Sequence, residues 1–189
     1  MNDHPFAMAF SDQFFVSVGP PFKLALKSFV GTAFGGEPFS SNPIVAVCDR
    51  GNNILPTYNN GSISASLITI PDAVSQTALQ PINSSTAHII NGLATFRGLY
   101  INEAGYPYQI QFSFSGGAFP FPSIISRKFD VAVGKSVAVG YFSNSTSISA
   151  STIYAGEYIA NSPILKLLDS GGNFCVFGQF HRNKNSNSS

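Results

Sequence analysis

The sequence predicts an all-β fold, an antiparallel sandwich repeated in tandem, and three observations predict it. Apolar residues come in short alternating runs broken by Gly, Pro, Asn and Asp. Amphipathic helical periodicity is almost absent. One stretch of the chain also recurs further along it, in order and in two places.

The recurrence sets the domain organisation. Residues 34–53, FGGEPFSSNPIVAVCDRGNN, align without gaps with residues 154–173, YAGEYIANSPILKLLDSGGN. Gly36 meets Gly156, Glu37 meets Glu157, Pro43 meets Pro163, Asp49 meets Asp169, Gly51 meets Gly171 and Asn53 meets Asn173. Upstream, residues 11–19, SDQFFVSVG, match residues 126–134, SRKFDVAVG, through Phe14/Phe129, Val16/Val131, Val18/Val133 and Gly19/Gly134. The offsets are about 115 and 120 residues, the length of one sandwich domain and far beyond a solenoid repeat of about 20–50 residues. The chain then parses into residues 1–19, the tail of a preceding repeat; residues 20–134, a complete repeat; and residues 135–189, the opening strands of a following repeat with a polar tail. An opening piece alone leaves ladder groups unpaired, so it is expected to dock on the complete repeat, be completed by another chain or stay poorly ordered.

Within the complete repeat the strands follow in order. Residues 23–29 alternate, with Leu24 and Leu26 on one face. Residues 43–48 form a strand opened by Pro43, where a missing ladder donor is tolerated. By the parity that Lys166 sets in the second copy, Val45 and Val47 point inward and Cys48 lies outside or at an edge. Asp49 to Asn53 is a turn. Residues 62–70 alternate Ile63, Ala65 and Leu67. Residues 86–90 and 93–96 flank Asn91-Gly92, the strongest short hairpin signal in the chain. Residues 106–115 alternate Tyr108, Ile110, Phe112 and Phe114 with polar residues. Residues 123–133 close the repeat, with Phe129, Val131 and Val133 inward and Asp130 outward. About seven strands in this length predict an immunoglobulin-like antiparallel β-sandwich. In the second copy, strands are expected near 163–168 and 174–180.

Composition bounds the function. Of 189 residues, 44% are hydrophobic, enough for a sizeable core, and only 10% are charged against about 25% in an average domain. Ser, Thr, Asn and Gly must therefore cover the surface, as in many secreted and cell-surface β proteins. The net charge of +1 gives no field for nucleic acid or an anionic membrane. No apolar run reaches membrane-span length, and no signal peptide opens the chain. Two cysteines, Cys48 and Cys175, are too few and too far apart for a disulfide framework or zinc module; their spacing neither demands nor forbids a bond.

The stretches NPIVAVCDRGNN, NGLATFRGLYINEAGYPYQIQFSFSGG and FDVAVG resemble the filamin-type and bacterial immunoglobulin-like repeats of large surface proteins. The resemblance is carried by Asp49, Gly51, Asn52, Gly92, Ala94, Phe96, Leu99, Ala104, Gly105 and Tyr108. It implies the sandwich fold and structural roles: Gly92 in a positive-φ turn, Phe96 between the sheets, and Tyr108 with its hydroxyl on nearby backbone. It implies no particular ligand, because such repeats serve adhesion, scaffolding and spacing alike.

Residues that carry chemistry are sparse. His4, His88 and His181 have no metal-ligand spacing, and no Gly-x-Ser-x-Gly elbow accompanies His88. The turns at Asp49 and Asp169, with Asn52, Asn53, Asn173 and the recurring Glu37/Glu157, raise calcium, but one carboxylate per turn suits a self-bonded Asx turn better. Asn60, Asn83, Asn144 and Asn187 begin glycosylation sequons, about as many as chance supplies in so polar a sequence. Phe119 and Phe121, with Tyr58 and Tyr106, are either a contact loop or the cap on an open sandwich end. The sequence thus points to a non-catalytic structural or adhesive segment of a larger extracellular or cell-surface protein, with no cofactor or metal. Its expected partners are neighbouring repeats, other copies, or protein and glycan ligands. Two alternatives stay open: a carbohydrate- or protein-binding module using the loop aromatics, and an intracellular filamin-like scaffold that binds peptides by strand addition.

Overall fold

The computed structural model describes residues 10–68, 78–81, 85–117, 119–142 and 164–175. These residues form thirteen strands and no helix: β1 (Lys23–Ser28), β2 (Ile44–Cys48), β3 (Ser62–Leu67), β4 (Leu79–Gln80), β5 (Thr86–His88), β6 (Leu93–Thr95), β7 (Tyr100–Ile101), β8 (Gly105–Tyr108), β9 (Ile110–Ser115), β10 (Ile124–Ile125), β11 (Phe129–Val131), β12 (Ala138–Phe142) and β13 (Ile164–Leu168).

Two sheets hold the core between them. One runs β1-β2-β6 and the other β10-β9-β3-β5, and every named pairing is antiparallel. Alternation in β3 sends Ile63 and Ala65 inward while Ser62, Ser64 and Ser66 face away. The matching residues of β9 are Ile110 and Phe112, and Leu24, Val45, Val47 and Ala94 come from the other sheet. Phe96 and Phe112 meet across the layer with centroids 5.3 Å apart. The pairs β8–β11 and β4–β7 add Phe129, Val131, Leu79 and Ile101 to the same cluster. A side chain of this size stabilises by about 1.5–3 kcal/mol when fully buried, so this cluster is the main source of cohesion.

Several sequence expectations need correction. Cys48 is fully buried, like Val45, Ala46 and Val47. Parity assumed that one face of β2 meets water, but β2 is the central strand of its sheet and both faces are closed. The end of β2 is flanked on one edge by Phe22, whose N–H donates to the Cys48 carbonyl, and on the other by a bridge from Cys48 to Ile54. Asn91 and Gly92 do form a tight two-residue turn, both with positive φ (51° and 76°), closed by reciprocal bonds between Ile90 and Leu93. The strands beyond it separate at once, β5 to β3 and β6 to β2, so the turn crosses between sheets instead of making a hairpin.

The run 106–115 is two strands. β8 pairs with β11, and after Gln109 the chain enters β9 beside β3. The closing segment is likewise split into β10 and β11 around Ser126, whose Oγ accepts the Ile110 N–H. Val133 is 42% exposed: the β8–β11 ladder ends at Val131, and after it Ala132 alone bridges to Phe34, so Val133 has no ladder to hold it inward. Residues 69–70 lie outside the described residues, as do residues 176–180 and the polar tail.

Candidate functional site

The best-defined construction in the molecule is a five-residue turn that occurs twice. Asp49 to Asn53 reads Asp-Arg-Gly-Asn-Asn, and Asp169 to Asn173 reads Asp-Ser-Gly-Gly-Asn. In the first, Asp49 Oδ1 accepts the Asn53 N–H at 2.8 Å, and Asn53 Nδ2 donates to Oδ2 at 3.0 Å. The Asp49 N–H donates to the Asn53 carbonyl, and the Asn52 N–H to the Asp49 carbonyl. The second turn repeats each bond with Asp169, Asn173 and Gly172. The fourth position has positive φ in both, 70° at Asn52 and 85° at Gly172, which suits Asn and Gly.

Each aspartate also reaches back to a glycine ahead of its strand pair, outside any strand. Asp49 Oδ2 accepts the Gly19 N–H at 2.9 Å, and Asp169 Oδ2 accepts the Gly134 N–H at 2.8 Å. The flanking ladders match over their first four pairs: Lys23 pairs with Cys48 as Ala138 pairs with Leu168, and Leu24 with Val47 as Val139 with Leu167. These donors fill both oxygens of each carboxylate, which is the chemistry of a self-bonded turn and leaves them poorly placed as calcium ligands. Among the described residues no group of three or more His, Cys, Asp or Glu is gathered as for a metal. The Asn53 side chain, then the Gly19 and Asn53 backbone N–H groups, hold the Asp49 carboxyl down at about 2. For Asp169, burial pushes upward, but the Gly134 N–H and the Asn173 side chain and N–H outweigh it, so its pKa is also lowered.

The two turns differ in what they touch. Asn173 Oδ1 accepts the Ala104 N–H at 2.9 Å, and Asn173 Nδ2 donates to the Asn102 carbonyl at 2.7 Å. Gly35 and Gly36 lie against the same turn, so closely that a Cβ on Gly36 would overlap the backbone of Ser170 and Gly171. Around Gly51, by contrast, a Cβ would meet only Asn53 and Asp49 of its own turn among the described residues. Asn53 is exposed.

The loop aromatics gather at one end of the sandwich. Phe121 is buried, with Phe114 and Phe119 each 4.9 Å away and Tyr58 at 5.9 Å. Phe114 and Tyr58 present their edges at 87° and 73°. A stacking platform needs coplanar exposed rings; here Phe121 is core, Tyr58 is half-buried, and Phe119 keeps 39% of its surface open. The Tyr106 side chain lies outside the described residues. Of the sequon asparagines Asn60 is exposed, while Asn83, Asn144 and Asn187 lie outside the described residues.

Tyr108 Oη donates to the Glu103 carbonyl at 3.0 Å, five residues upstream, with its ring near Phe129. Gly105 lies beneath that hydroxyl, where an added Cβ would come within 3.4 Å of it.

A shallow cavity of about 590 Å³ opens between β5 and β6, lined by Thr86, His88, Ile90, Asn91, Thr95 and Arg97 among others. Both strands end their sheets. The His88 ring is bonded to Ser62, Oγ to Nδ1 at 3.0 Å, on the exposed side. Among the described residues no carboxylate lines the cavity.

Sequence comparison located both turns but gave no sign that residues 102–104 and Gly35 would receive the second; only the double glycine at 35–36 hinted at close backbone approach. Compared with protein-family models, curated proteins and solved structures, the chain matches none.

Proposed function

We propose that this chain is a non-catalytic structural or adhesive segment of a larger extracellular or cell-surface protein, built of immunoglobulin-like sandwiches joined end to end. The observation that carries this reading is the duplicated junction. A Val-x-Val-Gly segment hands its glycine N–H to the aspartate of the following turn, at Gly19/Asp49 and again at Gly134/Asp169. Strand order supports the immunoglobulin-like assignment. Lettering β1, β2, β3, β5, β6, β9 and β10 as A to G gives sheets A-B-E and G-F-C-D, the immunoglobulin partition with only D moved beside C. The tyrosine bond from Tyr108 to Glu103 fits the same family of folds. The low charge supports the extracellular setting, with which the exposed Asn60 sequon is compatible.

Limited proteolysis of the 189-residue protein, read by mass spectrometry, tests this. A resistant core ending near Gly134 is expected, because among the described residues the buried apolar cluster stops at Val131, while Val139 and Leu165 beyond it are 62% and 64% exposed. A single resistant unit spanning both copies of the turn would refute the boundary.

The cavity beside β5 and β6 favours a second reading, a scaffold that takes an extended peptide as an added strand. Under this reading an unbiased extended-peptide library selects binders whose contact shifts fall on Thr86–His88 or Leu93–Thr95; shifts confined to Phe119 would point to the aromatic end instead.

A further inference from the structure

We infer that the Asp49–Asn53 turn is a docking plug for a second sandwich of the same design, one that closes with residues 14–18 and offers a double-glycine step and a backbone loop like Asn102–Ala104. The inference rests on the tandem reading and adds the geometry of its joint.

The occupied copy shows what the plug does. Turn 169–173 of the second copy sits on Gly35, Gly36 and Asn102–Ala104 of the described sandwich. Asn173 satisfies one N–H and one carbonyl of that loop, and Gly171 leaves room for the Asn102 carbonyl and Gly35. The bare copy keeps what this contact uses. Gly51 stands for Gly171 and Asn53 for Asn173, with the same internal bonds and the same positive φ at the fourth position. Where the copies differ, the difference is tolerable. Nothing lies within 4 Å of a Cβ on Gly172, so Asn52 fits there. The socket meets Ser170 through its backbone, and Arg50, which replaces it, folds its guanidinium over the Phe22 ring 4.8 Å away.

A second observation points the same way. Phe14 and Val16 are 75% and 86% exposed, whereas their counterparts Phe129 and Val131 are 8% and 3% exposed in the described sandwich. The segment that leads into Gly19 thus carries the inward sequence pattern of the closing segment around Phe129–Val131 without its core. Segment and turn together form one half of a joint whose other half, at Gly134 and Asp169, is complete.

The test places the bare turn's sequence in the occupied position of the full chain, Ser170→Arg with Gly172→Asn, and follows exchange of the Ala104 amide. The expected result is protection within about twofold of the unmodified chain, since the Ala104 bond is kept. Asn173→Ala, which removes the acceptor, should speed that exchange by about fivefold or more, the size of one lost hydrogen bond. Loss of protection in the swapped chain would overturn the inference, because the socket would then reject the Asp49 turn. Unchanged exchange in Asn173→Ala would overturn it too, because the joint would not depend on the bond both turns share. Either failure leaves the proteolytic boundary near Gly134 untouched, and a failure of that boundary leaves the swap result standing.

Discussion

In the first copy of the repeated segment Val45 is fully buried and Leu24 nearly so; in the second, their counterparts Leu165 and Val139 stand 64% and 62% exposed. The ladder between the strands is the same over four pairs, from Lys23–Cys48 to Leu26–Val45 and from Ala138–Leu168 to Tyr141–Leu165, before a register shift at Ser28 that the second copy lacks. The turns reverse the pattern, with the Asp169 turn seated against Asn102–Ala104 and the Asp49 turn bare on that side. Local sequence therefore dictates the strand pair and its turn whatever surrounds them. Burial, which supplies most of the stability, depends on which neighbour is present.

The comparison breaks most visibly at the closing segments. Phe129 contacts Phe29, Phe39 and Tyr108, so Phe129→Ala should cost about 3–5 kcal/mol of unfolding free energy. Phe14→Ala, at the matching exposed position, should stay within about 0.5 kcal/mol. Denaturant titration of both variants checks the pair, and equal losses would mean that residues 14–18 are buried in solution. A smaller contrast is expected on the strand pair. Val45→Ala should cost about 2 kcal/mol and Leu165→Ala about 0.5 kcal/mol or less, measured the same way.

The turns sharpen it further. A Cβ on Gly171 would strike the Asn102 carbonyl and Gly35, whereas among the described residues one on Gly51 meets only its own turn, Asn53 Nδ2 at 3.0 Å and Asp49 Oδ1 at 3.4 Å. Gly171→Ala should therefore lower stability or undock the turn at a cost of about 1–3 kcal/mol, and Gly51→Ala should cost less than half as much. Thermal melts together with Ala104 amide exchange separate loss of docking from loss of the turn itself.

Much of this fold was legible in the chain, and what was not has a physical reason. β1 and β3 were readable because alternation reports a buried face directly, and β2 because it recurs in the second copy, although being buried on both faces it defeated the parity reading of Cys48. The Asn91-Gly92 turn was readable because two positive φ angles demand those residues, but a turn is local and sheet membership is not. The sequence could not say that β5 and β6 leave it for different sheets. The break at Gln109 was hidden because apolar parity continues unbroken from Tyr108 to Phe114 while the pairing partner changes from β11 to β3. β12 was missed because Ala-Val-Gly-Tyr-Phe alternates weakly; the signal available was its position, as far beyond β1 as Gly134 is beyond Gly19. The turns were found because both halves are written in sequence. The socket for the second was not, because Asn102, Ala104 and Asn173 are brought together only by the fold.

The smallest expected effect concerns acid, and it tests whether the two turns are equivalent as charges. Asp49 sits at about 2 against an ordinary 3.8, and Asp169 is lowered as well, both through N–H donors that favour the carboxylate. A carboxyl depressed on folding stabilises the folded state in full above its unfolded pKa and loses that contribution as pH falls through the folded value. The melting temperature should therefore hold above pH about 4 and fall between about 4 and 2 as the carboxylates protonate. Asp49→Asn with Asp169→Asn should start lower at neutral pH and fall less steeply over that window. If both single variants flatten the acid limb alike, the two carboxylates serve the same turn chemistry and docking adds little to it. A larger change from Asp169→Asn would mean that the seated turn couples its charge to the joint, and that the difference between the copies reaches into the turn as well as around it.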